Sequence, residues 1–119
     1  MLKLTTKNNK LVLLNDNGAS VEFELFDKKL FKVIEANIAE LKKNLIKDDW
    51  EDNECFVSIE KKKENRSYLV LCLQTYHKTR MESREKFIKM IISENVSYEI
   101  SSRMILLNKL LKVPKQIIE

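Results

Sequence analysis

The chain has 119 residues, 44% of them apolar and 34% charged, with a formal net charge of +4. These proportions belong to one soluble domain long enough to bury its own core without staples, and they exclude a disordered chain. A single glycine and a single proline exclude the glycine-rich phosphate loops of the nucleotide-binding folds.

Eighteen of the 22 basic residues are lysine, and asparagine and isoleucine are abundant, as in coding from an AT-rich genome. The positive charge is therefore weak evidence for an anionic partner. No apolar run approaches the roughly 18 residues of a membrane span. Lysines and two threonines also interrupt MLKLTTKNNKLVLL, where a signal peptide would need its apolar stretch. The expectation is a cytoplasmic protein without membrane contact, in which the sequons Asn65-Arg66-Ser67 and Asn95-Val96-Ser97 are chance matches.

Leu2 and Leu4 alternate with polar neighbours, as in a short edge strand. KLVLLNDNGASVEFELF then predicts a hairpin closed by Asn17-Gly18, which tolerate the positive φ angles of a tight turn. With Asp16 opposite Ala19, the residues Val12, Leu14, Val21 and Phe23 share one face. Asp27 caps a helix to about Ile46, along which Leu30, Ile34, Ile38, Leu41 and Leu45 form an apolar stripe.

An acidic loop, KDDWEDNE, follows the helix and leads into CFVSIEKKKENRSYLVLC, a second hairpin with its turn over Lys62 to Asn65. Thr79 and Glu82 stand at capping-box spacing and predict a helix to about Ser93. The last helix runs from about Ser97 to Lys112 and is stopped by Pro114. The expected order, β-β-β-α-β-β-α-α, makes residues 1–119 a single α+β domain. Its antiparallel sheet has about five strands with helices packed on it.

Cys55 and Cys72 are the only cysteines and bracket the second hairpin. A turn centred between Lys63 and Glu64 sets them opposite each other, with Val57 opposite Val70, Ile59 opposite Tyr68 and Phe56 opposite Leu71, so the hairpin reads as central and buried on both faces. A disulfide there would stabilise the fold by about 3 kcal/mol, but a reducing compartment disfavours it. Zinc requires three or four ligands, and His77 is the only other soft one. Reduced core thiols are the favoured reading, with no metal and no cofactor.

Four stretches carry candidate function. Trp50 is surrounded by Asp48, Asp49, Glu51, Asp52 and Glu54, an aromatic anchor in a charged rim of the kind that forms protein-binding hot spots. QTYHKTR gathers Tyr76, His77, Lys78 and Arg80 where a strand passes into the predicted helix, a place that suits an anion. Lys28, Lys29, Lys32, Lys42, Lys43 and Lys47 lie on the first helix away from its apolar stripe, diluted by Glu35 and Glu40, and could follow a phosphate backbone. The final helix carries Ile100, Met104, Leu107 and Leu111 on one face, widened by Ile105, Leu106 and Leu110, which offers a homodimer contact.

NVSYEISSRMI, preceded by a helix and a short turn, resembles the second half of a helix-turn-helix unit, with Asn95 at the usual glycine and Arg103 outward. Glu94 and Ser101 stand where such units carry apolar residues. Catalytic patterns are weaker. Glu60 and Lys62 reproduce only the E-x-K end of a nuclease motif, and no Gly-x-Ser-x-Gly elbow or nucleophile triad is present.

The expectation is a non-enzymatic module that binds another protein through Asp49, Trp50, Glu51, Asp52, Tyr76, His77, Lys78 and Arg80. An inhibitor, adaptor or immunity-type factor encoded by a phage or mobile element would fit. The alternative is a nucleic-acid-binding regulator using Lys28, Lys29, Lys32, Lys43, Lys47 and Arg103.

Overall fold

The segment RSYLVLCLQTYH dictates much of the architecture, because every side chain from Leu69 to Leu73 is buried. A strand buried in this way lies in the interior of a sheet, and its backbone groups must be paired along both edges. The computed structural model describes residues 2–45, 50–62 and 66–110. Its elements are β1 (Lys3–Lys7), β2 (Lys10–Leu14), β3 (Ser20–Phe23), α1 (Lys28–Leu45), β4 (Trp50–Lys62), β5 (Arg66–His77), β6 (Ser83–Ile92) and α2 (Glu94–Leu110).

The strands form one antiparallel sheet in the order β3-β2-β1-β4-β5-β6. The α+β class and the antiparallel sheet are as expected, and the element order agrees with the expected one up to the seventh element. There a sixth strand, β6, replaces the helix predicted from Thr79 to Ser93. In FIKMII, Ile88, Met90 and Ile92 alternate with Phe87, Lys89 and Ile91. The first set packs against the core while the second does not, and this period of two serves the unpaired side of β5. With a strand at 83–92, the helix pair that would have made a helix-turn-helix is not formed.

Both helices cover the same face of the sheet. Helix α1 lies over β4, β5 and β6, and α2 lies over β2, β3 and β5. Leu4, Leu11, Leu13, Phe23, Val57, Leu69, Leu71 and Leu73 from the sheet enclose one core with Phe31, Ile34, Ile38 and Leu41 of α1 and Val96, Ile100 and Leu107 of α2. Asp27 starts α1 as expected, its Oδ1 accepting the N–H of Leu30 at 3.0 Å. Ser93 starts α2 earlier than expected, its Oγ accepting the N–H of Val96 at 3.2 Å. Glu94 and Glu99 fasten α2 to its surroundings, accepting from Ser67 Oγ at 3.3 Å and from the N–H of Phe26 at 3.1 Å.

Strand β1 and two registers differ from expectation. Strand β1 is interior and not an edge: Asn8 and Asn9, at φ angles of 51° and 64°, turn the chain back into β2 on one side, and β4 joins on the other, with Lys3 facing Phe56 and the Val57 N–H donating to the Leu2 carbonyl at 3.0 Å. In the next hairpin Leu13 faces Val21 and Leu11 faces Phe23, while Val12 and Leu14 fall on the other side with Glu22 and Ser20. The cause is Asn15, whose Oδ1 accepts from the N–H groups of Asn17 at 2.8 Å and Ala19 at 3.0 Å. A bond from Asn15 N–H to the carbonyl of Ala19 at 3.0 Å then leaves a three-residue loop ending in Gly18 at φ 85°.

In the second hairpin Lys62 faces Arg66, so Cys72 faces Phe56 and Cys55 faces Leu73; the centre of its turn lies outside the described residues. The two cysteines consequently occupy opposite faces of the sheet, both buried and neither in a disulfide. Residues Trp50 to Glu54, expected as part of an acidic loop, are the first turnless stretch of β4, with a bulge between Asp52 and Glu54.

Two outcomes follow from these turns and registers. Gly18→Ala should lower stability by about 1–2 kcal/mol, because the position needs a positive φ, although a Cβ there would meet nothing within 4 Å; Gly18→Asn should cost less. Urea melts that place alanine level with wild type would contradict the turn. Burial pushes the Cys72 thiol above its usual range, and no intrachain disulfide spans the two faces, so melting temperature should be the same with and without reductant, with both thiols reacting with a disulfide reagent only on unfolding.

Candidate functional site

The turn between β5 and β6 is built around His77. Its Nδ1 accepts the N–H groups of Thr79 and Arg80, each at 3.1 Å, so the ring imitates the Asx turn by which an asparagine organises the residues after it. Further bonds run from His77 N–H to the Glu82 carbonyl at 3.0 Å and from Glu82 N–H to the Arg80 carbonyl at 2.8 Å. This arrangement employs the imidazole as a backbone clamp and holds a rigid tip.

That tip presents apolar surface to solvent. Met81 is fully exposed and Tyr76 is exposed beside it. Together with His77, Arg80, Glu82 and Ser83 they line a shallow, open depression of about 400 Å³. Arg80 Nη2 lies 3.7 Å from Glu82 Oε2. Tyr76 Oη donates to Gln74 Oε1 at 3.3 Å, and Gln74 Nε2 donates to Glu85 Oε1 at 3.2 Å, which orients the phenol along the outer face of β5. Lys78 is exposed in the same turn.

Two candidate stretches far apart in sequence meet here. Trp50 is the register partner of His77, Glu51 of Tyr76 and Asp52 of Thr75, so the start of β4 and the end of β5 form one corner of the sheet. Asp49 lies outside the described residues. Sequence reasoning did not single out Met81. The signal was available, since an apolar residue within a polar turn, TRMES, has no helical stripe or strand alternation to serve.

The nucleic-acid candidates are less coherent. Lys28, Lys29, Lys32 and Lys43 are exposed on α1, and Lys47 lies outside the described residues. Lys32 Nζ sits 3.8 Å from Glu35 and 5.9 Å from the centroid of Phe31, and Glu24 joins Lys28 and Lys32 around a depression of about 210 Å³. Arg103, expected to point outward, is half-buried with its guanidinium 5.3 Å from the centroid of Phe23, where it serves the contact between α2 and β3. On the opposite side of the sheet, Glu54 lies 2.6 Å from Lys3 Nζ and through this bond holds the ammonium above its usual pKa.

Among the described residues no three His, Cys, Asp or Glu side chains gather where they could hold a metal ion, and no helix is long and apolar enough to cross a membrane. Glu60 of the E-x-K fragment bonds Lys89 Nζ at 3.0 Å, and Lys62 Nζ lies 5.5 Å from the centroid of Tyr68. No protein-family model matches the chain, and neither a curated protein nor a solved structure is significantly similar to it.

If His77 is the clamp of the turn, His77→Ala should cost about 1 kcal/mol in urea melts, one exposed hydrogen-bonding group's worth, while His77→Asn, whose carbonyl can reach the same N–H groups, should recover most of it. Equal losses in both variants would contradict the clamp.

Proposed function

We propose that the protein is a non-enzymatic binding module that acts by occupying a surface of another protein, as an inhibitor, adaptor or immunity-type factor does. The observation that carries this reading is the exposed Met81 and Tyr76 on a turn whose backbone is held by His77. An apolar anchor on a preorganised tip loses little conformational entropy when it is covered, and the charged groups of Arg80, Glu82 and Lys78 around it supply the polar rim of a hot spot. Trp50, Glu51 and Asp52 add to the same corner by register. A cytoplasmic location and a phage or mobile-element origin accord with the small, lysine-rich chain.

A second reading, as a nucleic-acid-binding regulator, rests on the exposed lysines of α1. The two separate in one pair of experiments. Fluorescence anisotropy against mixed single- and double-stranded DNA and RNA at about 50 and 200 mM salt should give no binding under the first reading; tight binding that collapses with salt and flattens in Lys32→Glu/Lys43→Glu would favour the second. Affinity capture with wild-type bait and with Tyr76→Ala/Met81→Asp bait should then recover a protein with the first and lose it with the second, by at least about tenfold, or 1.4 kcal/mol. Equal recovery by a folded variant would overturn the assignment of the corner.

A further inference from the structure

The two edges of the sheet are unlike. Strand β3 has 4 residues, too short to template another strand, whereas β6 has 10 and its outer side is unpaired among the described residues. Phe87 and Ile91 on its open face are 59% and 67% exposed.

The hydrogen-bonding phase of this edge can be read from its neighbours. Val57 N–H donates to the Leu2 carbonyl at 3.0 Å, so the odd residues of β4 bond β1 and the even ones bond β5. The odd residues of β5 then bond the even residues of β6, as the bond from His77 N–H to the Glu82 carbonyl shows. The N–H and C=O groups of Ser83, Glu85, Phe87, Lys89 and Ile91 therefore point away from the sheet.

We infer that this edge pairs with β6 of a second copy, antiparallel about a twofold axis at Phe87, joining two sheets into one of twelve strands. Such an axis keeps both pairs of helices on one face and requires odd residues to face odd ones. With Phe87 opposite its own copy, Glu85 faces Lys89 twice, Ser83 faces Ile91, Lys86 faces Ile88 and Arg84 faces Met90. The neighbouring allowed registers are poorer: one sets Lys86 against Lys86, another sets Glu85 against Ile91 and Phe87 against Lys89, and a third sets Lys89 against Lys89.

At the Phe87 register about ten interstrand hydrogen bonds form between groups that are otherwise left to water. Glu85 and Lys89 already have one partner each, Gln74 at 3.2 Å and Glu60 at 3.0 Å, and a carboxylate and an ammonium both retain capacity for a second. The contact is distinct from the exposed residues of α2, Tyr98, Ile105 and Leu106, and from the turn at Met81, so it stands independently of the proposed function.

Sedimentation velocity of the full chain tests the pairing. A dimer is expected. Glu85→Lys, which faces lysine with lysine twice, should weaken it at least tenfold, and Glu85→Lys/Lys89→Glu should restore it. Phe87→Cys should crosslink to itself under mild oxidation, since residues paired in this way have Cα atoms about 5.5 Å apart, while Ile91→Cys should not. Circular dichroism melts check that each variant is folded. A wild-type chain that is monomeric at about 100 μM, far above the range of a stable dimer, would overturn the inference, as would a dimer that resists Glu85→Lys but dissociates in Leu106→Asp.

Discussion

Much of this fold depends on the need to satisfy β5. Leu69, Val70, Leu71, Cys72 and Leu73 are consecutive and buried, so the strand has no face to give to water and no edge that can remain open in the interior. Strand β4 meets one edge along its whole length, and the residues after the His77 turn meet the other. This requirement overrides the capping-box spacing of Thr79 and Glu82, since a helix at 83–92 would have left the backbone of a buried strand unpaired. An unpaired buried peptide group costs more than a favourable cap contributes.

The same requirement determines what was legible in the sequence. Strong local signals transferred directly: the stripe of α1, its Asp27 cap, the two hairpins and the α+β class were all readable from spacing. Registers were not, because they depend on turns whose geometry is decided by single side chains. Asn15 closes its loop through its own carboxamide and moves β3 by one residue, which exchanges Val12 and Leu14 for Leu11 and Leu13 on the core side. A one-residue displacement in the second hairpin does more, since it separates Cys55 and Cys72 onto opposite faces.

Candidate residues divide along a similar line. The chemistry of Trp50 and of Tyr76 to Arg80 was visible locally, but their convergence was not, because it arises from the pairing of β4 with β5 across a bulge. Conversely Arg103, read as outward on a helix of undetermined packing, is drawn onto Phe23 once α2 lies over β3. The role of His77 illustrates a third case. A lone histidine near a turn gave two chemical readings in sequence, anion binding and acid chemistry, whereas in the fold its acceptor nitrogen is engaged by backbone groups.

The sheet also shows where charge acts. Among the described residues Lys3, Lys32 and Lys89 each lie against a carboxylate, that of Glu54, Glu35 and Glu60, so these three ammonium groups are locally compensated. Exposed apolar groups are more localised. Apart from Phe26 and Val33, those of the described residues gather at the His77 turn, on α2 and along β6, and the first and last of these are opposite kinds of surface, a turn tip that can enter a recess and a strand edge that can extend a ladder. Both originate in the one segment that completes β5, so the hairpin that closes the core also provides the surfaces left for contact with other molecules.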